Sequence, residues 1–142
     1  MFKLYPMVKW VQLDELIPHE DIDISHMYKI GIISGHKKVA PIIIDTTGII
    51  LDGHHRVAWR VFRGMSRIRA IEVDMFDPRV VLRWRNPTYA NLHKYDVLSR
   101  ALRGELFPSK TTQFMIRTVD GEIPIGKIHR KVTTVGCDIH YN

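Results

Sequence analysis

The chain has 142 residues, 45% hydrophobic and 25% charged, which places it in the range of one globular domain with a single sizeable core. Its one cysteine, Cys137, excludes an intramolecular disulfide and an all-cysteine zinc site, and fits a reducing cytoplasm. The N-terminus Met1-Phe2-Lys3-Leu4-Tyr5-Pro6 lacks a signal-peptide apolar stretch and the run Ile42-Ile43-Ile44 is too short for a bilayer, so no membrane partner is expected, while a net charge of +6 favours nucleotides, phosphorylated metabolites or a nucleic-acid backbone.

In chain order, Val11 to Leu16 predicts a short strand or turn leading into a loop at Pro18. Residues 21–33 predict a helix capped by Asp23 or Ser25, with Met27, Ile30 and Ile32 or Ile33 on one face. Two β-branched runs, 40–45 and 49–51, flank Thr46-Thr47-Gly48 and predict a hairpin; being apolar at every position but Asp45, it should be covered on both faces. Residues 53–62 switch to helical spacing, with Val57, Ala58, Val61 and Phe62 on one face, Arg56, Arg60 and Arg63 on another, and Gly64 as the stop. Strands are predicted at 67–74 and 79–84, then a helix at 94–103 with Val97, Leu98, Ala101 and Leu102 inward and Gly104 closing it. Strands at 113–119, 123–128 and 132–139 follow, the first two joined by an Asp120-Gly121 turn. No repeat, low-complexity stretch or Gly/Ser-rich linker interrupts the sequence, so residues 1–142 are read as one α+β (mixed α/β) domain.

The chemistry concentrates in Asp52-Gly53-His54-His55-Arg56, where an apolar strand turns into a basic helix. The first turn of a helix leaves backbone N–H groups unpaired and carries the positive end of the macrodipole. Gly53 lets the backbone turn and a ligand approach, and Arg56 with two imidazoles completes an anion site. Taken singly, Asp52 could be only a helix cap and the arginines only a solvated face; their coincidence at this turn favours the site. Adjacent helical histidines point about 100° apart, so His54 and His55 do not share an ion, and Mg²⁺ carried by a nucleotide fits better than structural zinc.

Residues Pro41 to Asp45 and Leu51 to Gly64, the latter carrying the Asp-Gly-His-His-Arg turn, resemble the core of the ParB/sulfiredoxin superfamily over about residues 8–75. Within it, this turn is similar to that of the archaeal free serine kinases, which make O-phosphoserine from L-serine with ADP or ATP. Pro18-His19-Glu20 resembles the segment carrying their catalytic glutamate, and Phe107-Pro108-Ser109-Lys110-Thr111-Thr112 their Pro-Lys-Thr-Thr segment. Where those kinases usually continue with basic or histidine residues, Gln113-Phe114 follows here. The resemblance implies Glu20 as the base for the serine hydroxyl, and Asp52 assisting it or orienting a magnesium-bound phosphate. It implies Gly53, His54, His55 and Arg56 on the phosphates, Lys110, Thr111 and Thr112 on serine or the transferred phosphate, and Trp84 as a pocket wall.

Two further classes share this turn. A sulfiredoxin-type reductase needs a cysteine where His54 stands. A ParB-like nucleotide- or DNA-binding module, or a nuclease, is the alternative, although the last thirty or so residues read as strands rather than a helix-turn-helix. A regulatory domain that binds nucleotide without turnover is the third reading.

Overall fold

The computed structural model describes residues 2–4, 7–34, 40–129 and 132–134. Its elements are β1 (Phe2–Leu4), β2 (Val8–Gln12), α1 (Ile24–Ser34), β3 (Ile42–Asp45), β4 (Ile50–Asp52), α2 (His54–Phe62), β5 (Arg67–Val73), β6 (Val80–Trp84), α3 (Lys94–Arg103), β7 (Thr112–Thr118), β8 (Gly121–Pro124) and β9 (Val132–Thr134). One sheet runs β2-β5-β3-β4, with β3 parallel to β5 and the other pairs antiparallel. The second runs β1-β9-β7-β6, with β8 also on β7.

The uninterrupted apolar runs are explained by two cores on opposite faces of the first sheet. Ile43, Ile71 and Val73 meet Phe114, Ile116 and Val97 from β7 and α3. Ile42, Ile44, Ile50, Ile68 and Ala70 form the other core with Val57 of α2. The hairpin turn is fixed by buried Asp45, which accepts the Thr47 N–H (3.0 Å) and hydroxyl (2.6 Å) on one oxygen and the Met75 N–H (2.6 Å) on the other. Three donors offset the cost of burying this carboxylate and tie the hairpin to the end of β5. The two sheets and three helices thus form one α+β domain.

Several predicted details are corrected. Leu102, read as inward, is exposed, because it is rotated about 100° from its buried neighbour Ala101. Phe62 and Val61 are exposed as well; the Phe62 ring stacks against Tyr28 and Trp59 at the α1–α2 contact, and nothing in the structure explains Val61. Ile32 and Ile33 of α1 are exposed, whereas Met27 is buried. The segment 123–128 is not one strand: β8 ends at Pro124, which has no N–H to extend the ladder, and a 3-10 helix takes over at Ile125–His129. Of the strand read at 132–139, Val132–Thr134 pairs with β1, and the remainder lies outside the described residues. The α1 cap is Asp23, whose carboxylate accepts the His26 N–H at 3.2 Å.

Candidate functional site

The β4–α2 turn depends on Gly53, which sits at the helix N-cap with φ of +113°. A side chain there would be strained and would meet the Ile42 Cγ2 at 2.4 Å. Gly53 has no side chain to cap the helix, and the first N–H to return to the turn is that of Val57, on Gly53 O at 3.0 Å. The first-turn N–H groups of His54, His55 and Arg56 therefore lack intrahelical acceptors and border a cleft of about 300 Å³. Lining this cleft are Asp52, Gly53, His54, His55 and Arg56 on one side and Glu20, Lys110 and Thr112 on another.

Glu20 reaches the cleft because its segment is laced to elements on both sides. Ile17 donates its N–H to Gly48 O (2.9 Å) and accepts that of Ile50 (2.9 Å), joining it to the hairpin. Phe107 donates to His19 O (2.8 Å) and Asp21 to Phe107 O (2.8 Å), joining it to the loop after α3. Residues ninety positions apart are thereby brought together: Glu20 Oε1 accepts the Lys110 N–H at 3.0 Å, and Oε2 accepts the Thr112 N–H at 2.6 Å together with the Thr112 hydroxyl. Lys110 makes its bond from φ of +61°, a backbone conformation that costs about 1–3 kcal/mol and is retained where a site requires it. The Thr112 hydroxyl, donating to Glu20, accepts from His19 Nε2 at 2.8 Å, which places the proton of neutral His19 on Nε2. Burial, partly opposed by the Ile50 backbone, lowers the His19 pKa to about 4.

The two helix-start histidines are cross-links rather than ring donors. His54 Nε2 accepts the His19 N–H at 3.1 Å, and His55 Nε2 accepts the Asp23 N–H at 3.0 Å. Burial, then the neighbouring His19 and His55, push the His54 pKa well below its ordinary value. His55 is lowered too, by burial first and then by His26, whose ring lies edge-on at 4.6 Å. Arg56 is similarly engaged: it donates to Asp52 Oδ2 at 2.9 Å and to Ala40 O. Asp52 thus orients Arg56 instead of capping α2, and Gly126 approaches so closely that an added Cβ would lie 2.6 Å from its Oδ2.

Two expected site residues lie elsewhere. The Trp84 indole donates to Leu92 O at 3.0 Å and stacks on Phe107 and Tyr89, so it packs beneath the loop instead of walling the cleft. Thr111 is buried, with its hydroxyl on Pro108 O at 2.6 Å, and shapes the turn that presents Lys110 and Thr112. The cleft also gathers residues the sequence did not single out, notably His26, Arg85 and Gln113. Arg85 is placed by its N–H on Thr111 O (2.8 Å), one step beyond the last β6–β7 pair; this register is invisible before the strands are paired. Among the described residues no group of three or more His, Cys, Asp or Glu side chains is arranged to hold a metal. No helix among them is long and apolar enough to cross a membrane.

No family model matches the chain. A ParB-like protein of Sulfolobus acidocaldarius is 37% identical over 78 residues, which are 54% of this chain and 39% of that protein, so the match spans well under half of the relative. Among solved structures, a free serine kinase variant in complex with AMP superposes with a TM-score of 0.67 at 13% identity, over 77% of this chain and 88% of the other. A second variant of that kinase, in complex with ADP, gives 0.67 at 13% over 77% and 87%. Similarity at this identity speaks to architecture alone: this chain shares the fold of the free serine kinase structures.

Proposed function

We propose that this chain is a nucleotide-dependent kinase that converts free L-serine to O-phosphoserine. The observation that carries this reading is the convergence of Glu20, held by Lys110 and Thr112, with the open N-terminus of α2 on one cleft. The adenine nucleotides in the similarly folded kinases support a nucleotide in this cleft. Phosphoryl transfer asks a protein for positioning and charge neutralisation, with a carboxylate at the attacking hydroxyl.

The hydrogen bonds support Glu20 Oε1 as the accepting atom. Glu20 Oε2 already takes two donors, whereas Oε1 takes one and keeps a lone pair for the serine hydroxyl. As the serine oxygen bonds to the terminal phosphorus and the bond from that phosphorus to the bridging oxygen breaks, the hydroxyl proton passes to Oε1. The N–H groups of His54, His55 and Arg56 hold phosphate oxygens, and the Lys110 and Arg85 side chains supply positive charge at the rim. Asp52 keeps one oxygen beyond its Arg56 bond, enough for the single carboxylate that a nucleotide-borne Mg²⁺ commonly uses. Such an ion, when bound, would neutralise charge on the transferring phosphoryl group.

A second reading, a ParB-like nucleotide-binding module without turnover, is favoured by the Sulfolobus relative. The two separate on one assay: incubation with L-serine, Mg²⁺ and either ATP or ADP, read as O-phosphoserine. The kinase reading expects product with at least one donor. Nucleotide binding with no product from either contradicts it and leaves the binding module.

A further inference from the structure

Residues 53–71 contain five arginines and no aspartate or glutamate. Arg56 serves the cleft, and the other four continue along α2 into β5. Several arginines elsewhere in the fold meet carboxylates: Arg79 with Asp77, Arg83 with Glu122 and Arg103 with Glu105. Arg60, Arg63 and Arg67 meet none among the described residues. Arg60 instead donates to Arg67 O at 2.8 Å, Arg63 lies 5.7 Å from the Trp59 ring, and Arg67 lies over the Trp10 ring at 4.6 Å.

Arg60 is held near Arg67 and Arg69 despite their repulsion. Partial burial, and then the nearby Arg67 and Arg69, shift the Arg60 pKa downward. Like charges gathered with no carboxylate on Arg60, Arg63 or Arg67 among the described residues are unfavourable for the free protein and become favourable when a polyanion covers them.

Trp10 specifies the kind of polyanion. It stands on β2, the edge strand of its sheet, directly across from Arg69 and diagonal to Arg67, with 52% of its surface exposed. With Arg67 over one face of the ring, the half-exposed indole at this sheet edge has little to gain from a phosphate, but its exposed surface offers a stacking platform to an unpaired base. In a duplex the bases are already stacked on one another and cannot use it.

We propose that Trp10, Arg60, Arg63 and Arg67 form a binding strip for single-stranded nucleic acid, with the arginines on successive phosphates and Trp10 under a base. The strip lies outside the residues lining the cleft, and the inference does not depend on the kinase reading.

The test is fluorescence anisotropy with a labelled oligothymidylate of about twelve nucleotides, within the usual span of such sites. Affinity should fall as KCl rises from about 50 to 200 mM, with a log–log slope near −2 for about three phosphates at ~0.7 each. Trp10→Ala should weaken binding about tenfold, the loss of one stacked base. Arg63→Glu with Arg67→Glu should abolish it, while the far-UV circular dichroism spectrum and melting curve of both variants stay those of the unaltered protein and show that they are folded. If either variant unfolds, Trp10→Leu and Arg63→Gln with Arg67→Gln replace it, and each is still expected to weaken oligonucleotide binding several-fold, normal affinity counting against the strip. Absence of binding at low salt, indifference to Trp10→Ala, equal affinity for a duplex, or binding only to phosphatidylglycerol vesicles would each overturn the proposal.

Discussion

The two walls of the cleft are built in opposite ways. The α2 wall is contiguous: residues 52–56 form a strand end, a left-handed glycine and the first turn of a helix, and what they offer a ligand is mainly backbone. The facing wall is assembled from Glu20, Lys110 and Thr112, brought together when the loop after α3 bonds to the segment after Pro18, and from Arg85, placed by the β6–β7 register. The first depends on local conformation and the second on long-range bonding, so damage to each should look different.

The largest effect is expected at the contiguous wall. Gly53→Val imposes a β-branched residue at φ of +113° and drives it into Ile42, so strain and overpacking together should destabilise the protein by on the order of 4 kcal/mol. Chemical denaturation should show that loss and AMP binding should disappear with it; near-normal stability would mean that the turn is not as tight as described.

Acid should act next, through the histidines bridging the walls. His19, with its pKa lowered to about 4, stays neutral in the fold where the unfolded chain takes up a proton near 6.5. Stability is therefore full above about pH 6.5 and falls as pH drops towards 4, by about 3 kcal/mol from His19 at about 1.4 kcal/mol per pH unit, with His54 adding in the same direction. Melting curves from pH 7 to 4 should show this decline, and a His19→Gln variant should show less of it.

The smallest effect concerns the assembled wall alone. Thr112→Val removes one hydroxyl donor from Glu20 and the acceptor of His19, at a cost of about 1.5–3 kcal/mol. The backbone N–H of residue 112 still holds Oε2, so AMP affinity should survive while serine turnover drops. A parallel loss of both would mean that the two walls do not act separately.

The same contrast governs what could be read from the sequence. The hairpin, α2 and the anion-binding turn were legible because β-branched runs, a glycine and helical spacing act within a few residues of one another. The roles of individual groups there were less so: Asp52 carries a favoured capping side chain but bonds Arg56, and the His54 and His55 rings accept backbone N–H groups. The facing wall could be anticipated at Glu20, Lys110 and Thr112 only through resemblance to a family, since nothing local joins residues ninety apart. Trp84 shows the limit of that approach, its indole being drawn into the core beside Phe107. Arg85 and Gln113 enter the cleft through the β6–β7 register, which no local pattern encodes.

Glu20→Gln tests the account most directly, because it removes the proposed proton acceptor with almost no change of shape. AMP affinity, measured by calorimetry, should remain that of the unaltered protein, while O-phosphoserine formation falls by about 10²–10⁴-fold, the contribution of a positioned base. Unimpaired phosphoserine formation in this variant would contradict the assignment of Glu20 and, with it, the division of the cleft into a nucleotide wall and an acceptor wall.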